Sequence, residues 1–554
     1  MFQDFGGRLL HRLRFSTDLY RSCGRFRQRG MWTSGREWRM WLPFPRAMEE
    51  QEFSMVVSLK PEAGPLQFTV EVASPHELEL DAVVESWRQV EGVGAVAHIG
   101  VVDEIRVGRR YRALVRVVRI FPEVYLPPLP GCEVQLSSQD NVDWAMRFDD
   151  MDRKIPLGIM GNGMPAFANV DFLSGVKGAH INIAGISGVA TKTSYALFLL
   201  YSLFQSEAGK NSRAILFNVK GDDLLYLDKP NARLSEEQKK TYGKLGLPCQ
   251  PFHSVVNHGV KRAFWTLREF AERDLMRHML AGTEQTGVLE FALDRVVENL
   301  RDAALASLGP GLTVGAQTVA DLPALVDFLE AESADSKSAW FENVATGTRR
   351  ALVRRLKAIC PQIADLIGEE GSFDPFEGQM NVVDIHHLTD RARTFVLGSV
   401  LKTVFVARET MPDNFPTTYL MVDELNKYAP RDGGGAIREM LLDPAERGRS
   451  LGIVLVGAEQ TASQVEERVV GNSALRVVGR MESAEVSREL YGWLTQSLRQ
   501  RATLLQPGSM IVSQPEVPVP LVVSFPFPAW ATRRSEVSAG ATRAVKPANR
   551  PRPS

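Results

Sequence analysis

Between residues 53 and about 134, short stretches alternate apolar with polar residues. They fall at 66–72, 95–102 and 111–120, parted by Gly and Pro clusters. A period of two predicts half-buried strands, and several such strands with turn signals between them predict a small β-barrel or sandwich. Pro127, Pro128, Pro130 and Gly131 then break the chain, and a strand at 133–136 and a short helix near 142–148 follow. From 178 to about 523 the pattern changes. Uninterrupted apolar runs at 181–184, 214–218, 382–385, 419–422, 453–457 and 475–478 alternate with helical segments. Strands apolar on both faces belong to a parallel sheet with helices packed on each side. Between about 267 and 376 the pattern turns helical instead, which predicts a helical insertion within the α/β unit.

These shifts divide the chain into 1–52, 53–150, 151–530 and 531–554. The first segment carries ten Arg and no Lys. It reads as a start assigned too early, with Met48 or Met55 the true beginning, or as a cleaved transit peptide; either way little order is expected. The last segment, rich in Arg, Pro, Ala and Ser, reads as a disordered basic tail.

Composition narrows the classes. With 44% hydrophobic and 24% charged residues the chain is ordinary for a globular protein. No uncharged apolar run reaches the roughly 18 residues of a membrane span, so no membrane partner is expected. Four dispersed cysteines without a C-x-x-C pair argue against a zinc or disulfide framework and for the reducing cytoplasm. A net charge of −1 excludes a globally basic nucleic-acid coat but leaves room for a local basic channel.

Chemistry concentrates in three places. The first runs from His180 to Ser194: an apolar strand, a small-residue loop (Gly185, Ser187, Gly188, Val189, Ala190, Thr191), then Lys192, Thr193 and Ser194 opening an apolar helix. That is the layout of a phosphate-binding loop, whose backbone N–H groups and helix N-terminus cradle phosphates. Lys192 would reach the β- and γ-phosphates and Thr193 would hold Mg²⁺. The match to G-x-x-x-x-G-K-[ST] is imperfect: Thr191 takes the place of the second Gly, and Gly185 lies one residue too far upstream. The second place is the strand 418–422 ending in Asp423 and Glu424, at the edge where α/β sheets hold ligands. Asp423 suits the Mg²⁺ shell and Glu424 suits polarising an attacking water. The third is a polar turn with Arg447 and Arg449, then an apolar strand ending at Gln460. Gln460 could bond the γ-phosphate. The arginines precede the strand, so they lie at the opposite sheet edge and are better placed to reach a neighbour's nucleotide.

The order of a barrel, this loop, Asp423-Glu-Leu-Asn-Lys-Tyr-Ala-Pro430 and Arg447-Gly-Arg449 through Gln460 resembles the HerA/FtsK branch of RecA-like motor ATPases, HerA most of all. The resemblance covers about residues 67–528. It implies an α/β fold: a RecA-like parallel-sheet P-loop ATPase core with a helical insertion, preceded by a small all-β barrel. It implies ATP and Mg²⁺ as cofactors, and a homohexameric ring pumping double-stranded DNA, often with a partner nuclease or other defence effector. It matches Lys192 and Thr193 to the phosphate and magnesium residues and Asp423 and Glu424 to the second acidic motif. Arg449 matches the trans finger and Gln460 the γ-phosphate sensor. Two rival functions stay open: a nucleotide-binding assembly scaffold with weak or no turnover, motivated by the distorted loop, and a conjugation- or secretion-type ATPase.

Three further features stand apart from this set. At 217–223, Asn218 replaces the first acid of a turn the family carries, and Lys220 reads as a surface residue. Arg350, Arg354 and Lys357 lie at i, i+4 and i+7 of a helix at 348–357 and are candidates for sequence-independent phosphate contact, or else a solvated face paired with nearby acids. His386-His387 follow a strand end and are expected to serve the loop.

Overall fold

The computed structural model describes residues 55–58, 63–73, 78–108, 110–186, 192–259, 263–280, 287–315, 317–371, 373–411, 415–432 and 436–537. The expectations for residues 1–52 and for the tail beyond 537 therefore lie outside the described residues, and so do those for Ser187, Gly188, Val189, Ala190 and Thr191.

The alternating segments form one antiparallel sheet of β1 (Met55–Val57), β2 (Gln67–Val72), β3 (Val83–Val90), β4 (Gly94–Val107), β5 (Tyr111–Phe121) and β6 (Val134–Leu136), in the order β1-β2-β5-β4-β3-β6. Alternation sets its two faces. In β5, Ala113 and Val115 point into a core with Phe68, Val70, Val84 and Val102, while Arg112 and Arg116 face outward. The two edges nearly close: Val56 bridges Glu133, and Val57 N–H donates to Cys132 O at 2.9 Å. The result is a small, near-closed barrel.

Helix α1 (Gln139–Ala145), capped by Ser138, leads into the larger sheet. That sheet has eleven strands. Seven are parallel: β9 (Ala179–Ala184), β10 (Arg213–Asn218), β11 (Val255–His258), β16 (Met380–Asp384), β17 (Thr418–Asp423), β18 (Ile453–Glu459) and β19 (Ser473–Val478), in the order β11-β16-β10-β17-β18-β9-β19. Two small ribbons, β12 (Trp265–Thr266) with β15 (Ile367–Gly368) and β13 (Leu312–Val314) with β14 (Gln317–Val319), lie between β11 and β16 in sequence. Beyond β19 the sheet continues antiparallel through β20 (Ser509–Ser513), β21 (Leu521–Ser524), β7 (Lys154–Met160) and β8 (Pro165–Asn169). A parallel core with strand–helix alternation, a helical insertion and a leading barrel is the RecA-like α/β architecture. The β7–β8 hairpin is an addition that periodicity did not reveal, because Pro156, Gly158 and Pro165 interrupt its apolar run.

The apolar strands are buried on both faces. In β10, Ile215 and Phe217 join one core and Ala214 and Leu216 the other; in β17, Leu420 and Val422 oppose Tyr419 and Met421. Helix α2 (Lys192–Phe204) fills the second core, every residue from Tyr195 to Phe204 being buried. The first core is covered by the insertion, chiefly α3 (Gly287–Ala306), α4 (Leu322–Ala334) and α5 (Thr346–Ile363), with α6 (Asp390–Thr410) beside them. The one-turn α7 (Leu425–Tyr428) and the longer α8 (Ala436–Leu451) flank β18, and α9 (Gln496–Ala502) meets the barrel. There Arg501 donates to both oxygens of Asp81 at 2.7 and 2.6 Å, and Ser497 donates to Asp103 O at 2.7 Å. Among the described residues no helix is long and apolar enough to cross a membrane.

Candidate nucleotide site

Parallel register brings the C-terminal ends of β9, β10, β17 and β18 to one edge of the sheet. Gly185 continues β9, and its N–H donates to Glu459 O at 3.1 Å, tying the start of the loop to the end of β18. Lys192 opens α2 almost fully buried, and its Nζ donates to Gly185 O at 2.8 Å. Burial lowers its pKa below the usual lysine value, and Asp423 opposes that shift. Thr193 donates from Oγ1 to Asp423 Oδ2 at 3.4 Å. Ser194, next along α2, is half-buried. A hydroxyl and a carboxylate are hard oxygen donors, which is what Mg²⁺ takes. This donor set fits that ion.

Glu424 sits in the left-handed region at φ +57°. Its N–H donates back to Asp423 Oδ1 at 2.8 Å. That turn holds the two carboxylates side by side at the head of α7. Neither is bare. Lys220 Nζ lies 3.1 Å from Asp423 Oδ2 and 3.2 Å from Glu424 Oε1, and Lys427 pairs with the other Glu424 oxygen. Lys220 is exposed, as the surface reading has it, but that reading missed that it spans both carboxylates of the site. Burial works against its charge, the two carboxylates more than offset this, and its pKa lies above the ordinary lysine value. Burial likewise pushes Glu424 up, but Lys427 and Lys220 outweigh it and hold its carboxyl below the usual range.

Asn218 also has a definite task in place of an acid. Its Nδ2 donates to Gly221 O and to Asp384 Oδ1, both at 2.8 Å, which closes the turn that presents Lys220.

Sequence reasoning passed over Glu459. It is fully buried at the end of β18, facing Asn182 of β9, whose Nδ2 donates to Glu459 Oε1 at 2.7 Å; Oε2 has no hydrogen-bond partner. The register pairs Glu459 with Ala184 and Gly457 with Asn182, so both polar side chains share one face. Desolvation pushes the Glu459 carboxyl up to about 8, against the pull of Asn182 and Lys192. An acid closing an otherwise apolar run (Val-Leu-Val-Gly-Ala-Glu) was the available signal.

Gln460 follows β18 directly and is exposed at this edge. Arg447 and Arg449 lie not in a turn, as read from sequence, but in the last turns of α8. Arg447 pairs with Asp443 on the surface. Arg449 Nε donates to Gly175 O at 2.9 Å, and Nη2 bonds Val176 O, in the loop that precedes β9. Gly175 has φ +89°, and a Cβ there would meet Arg449 O at 3.1 Å, so this close approach requires glycine. Arg449 therefore stands at the opposite sheet edge from Lys192, in contact with its own chain.

The basic face of α5 is only partly free. Leu352, Val353, Leu356 and Ile359 face the core, while Arg350, Arg354 and Lys357 are exposed. Lys357 is bound to Glu330 and lies 3.7 Å from Asp327, both on α4. That face is thus already partly neutralised by acids, which removes Lys357 from the set of free phosphate contacts and leaves Arg350 and Arg354.

No protein-family model matches the chain, and no curated protein matches it. Among solved structures, VirB4 of Thermoanaerobacter pseudethanolicus is similar with 13% identity and TM-score 0.46, over 68% of this chain and 96% of that one. Plasmid coupling protein TrwB with the ATP analogue ADPNP gives 11% identity and TM-score 0.46, over 72% and 95%. TrwB with ADP and Mg²⁺ gives 14% identity and TM-score 0.44, over 73% and 94%. The contacts described above are this chain's own and do not depend on those likenesses.

Proposed function

We propose that this chain is a Mg²⁺-dependent ATPase that works as a ring of identical copies and moves double-stranded DNA. The observation that carries the reading is the meeting of Lys192, Thr193, Asp423 and Glu424 at one sheet edge, at the ends of β9 and β17. Lys192 binds the β- and γ-phosphates, exchanging its bond to Gly185 O for phosphate oxygens. Thr193 and Asp423 hold Mg²⁺, which neutralises phosphate charge. Glu424, kept ionised by its lysines, orients and polarises the attacking water, and Gln460 reads the γ-phosphate. Arg449 serves the nucleotide of the adjacent copy; in the single chain it is parked on the loop at Gly175 and Val176. Arg350 and Arg354 are exposed cations of the insertion offered for contact with the DNA backbone. In its HerA-type form the motor feeds a separate nuclease or defence effector.

The second reading, a nucleotide-responsive scaffold with little turnover, is favoured by Lys220, whose ion pairs occupy both catalytic carboxylates. DNA-stimulated ATP hydrolysis separates the two. The motor requires a wild-type rate well above that of Glu424→Gln; equal rates refute it, and nucleotide binding without turnover leaves the scaffold.

A further inference from the structure

His386 and His387 have no part in the nucleotide chemistry, yet the fold gives them a third partner. Asp384 ends β16 on the same sheet edge, and the chain turns at once, Leu388 N–H donating to Ile385 O at 3.1 Å. The turn returns both imidazoles over the carboxylate. His386 Nδ1 lies 2.7 Å from Asp384 Oδ1, and the two rings stand edge to face with centroids 5.1 Å apart. One donor atom from each of Asp384, His386 and His387 falls within 4.8 Å of the others. The hydrogen bond to Asp384 accounts for His386 alone, not for the second imidazole beside it.

We propose that Asp384, His386 and His387 form a binding site for a Zn²⁺-class transition-metal ion, separate from the Mg²⁺–nucleotide site. Two imidazoles and one carboxylate suit such ions better than Mg²⁺, which prefers oxygen alone. Tetrahedral donors bound to one such ion at roughly 2.0–2.2 Å lie about 3.4 Å apart. The Asp384–His386 atoms stand 2.7 Å apart and the whole set lies within 4.8 Å, values on either side of that spacing, and His387 is exposed.

The surroundings hold the carboxylate and the turn in place. Asp384 Oδ1 also accepts from Nδ2 of Asn218, which is 1% exposed, so a buried amide orients it. Arg393 Nε donates to Ile385 O at 3.1 Å and its Nη2 bonds His386 O, which fixes the turn from beneath. That guanidinium's Nη1 lies 3.4 Å from Asp390 Oδ1. With His387 exposed, solvent or an added ligand completes the coordination. The site lies two strands from Asp423, across β10.

Zn²⁺ titration of the tag-free full chain, stripped of metal and read by competition with a chromophoric chelator, tests the proposal. About one equivalent should bind, with affinity reduced at least about tenfold in His386→Ala and in His387→Ala and unchanged in Asp423→Asn. No bound equivalent, or histidine variants that bind like wild type, overturns it. A second measurement needs no variant: Zn²⁺ should protect both histidines of the wild-type chain from carbethoxylation, mapped by mass spectrometry, and equal modification with and without Zn²⁺ overturns the assignment. Neither result depends on nucleotide turnover.

Discussion

Replacing Glu459 by Gln should remove a large pH dependence from the stability of this protein. The carboxyl is fully buried, and its pKa rises from 4.5 to about 8. The unfolded chain releases this proton near 4.5 and the folded chain only near 8. In that window the native state binds more protons, so its stability falls as pH rises: the contribution is fully present below 4.5 and is lost as pH passes through about 8. Each unit of the window costs about 1.4 kcal/mol, and the whole shift about 5 kcal/mol. The charged groups facing Glu459 are Lys192 from α2, Asp423 from β17 and Glu485 beyond β19. Gln keeps the acceptor for Asn182 and places its NH₂ where Oε2 already lacks a partner. Wild type and Glu459→Gln are unfolded in urea at pH 6, 7 and 8, and only their difference is read, which cancels every other titrating group. Relative to the variant, wild type should weaken by about 2–3 kcal/mol from pH 6 to 8. Parallel profiles would refute a neutral, buried Glu459.

Two further substitutions probe the site. Lys220→Met frees Asp423 and Glu424 of a half-exposed cation worth about 1 kcal/mol, so half-saturation with a fluorescent ATP analogue should need about fivefold less Mg²⁺; an unchanged or higher requirement means that Lys220 does not compete with the metal. Mixing Arg449→Ala with Lys192→Ala chains should restore hydrolysis above that of either alone, because mixed rings pair an intact phosphate loop with an intact arginine. No recovery in rings shown by mass to be mixed argues against a finger supplied in trans.

How much of this was legible in sequence depends on range. Strands β9, β17 and β18 could be read because burial on both faces demands unbroken apolar runs, and α2 because nearly its whole surface is core. Asp423 and Glu424 were legible as acids closing such a run. Lys220 was not: it stands in the turn just past β10, where nothing local marks it, and only the β10–β17 pairing carries it to Asp423, 203 residues away. The helix around Arg447 and Arg449 was missed because Pro444, Gly448 and Gly452 break its pattern, and tertiary packing on β18 overrides that local preference.

The order of residues carried the main lines of the architecture and the cast. The period of its apolar residues fixed a small antiparallel barrel ahead of a parallel sheet, and the ends of its apolar runs supplied the lysine, threonine and acids of one edge. Tertiary structure alone decided the electrostatics. Whether a carboxylate is ionised, paired or neutral depends on how far water is excluded and which charge lies within a few ångströms. Those quantities follow from which strands lie side by side, not from the order in which residues are written. So Glu459 becomes a buried neutral acid, Lys220 a cation across two carboxylates, and Asp384 the third member of a histidine cluster, each through a neighbour remote in sequence or a turn closed by the fold.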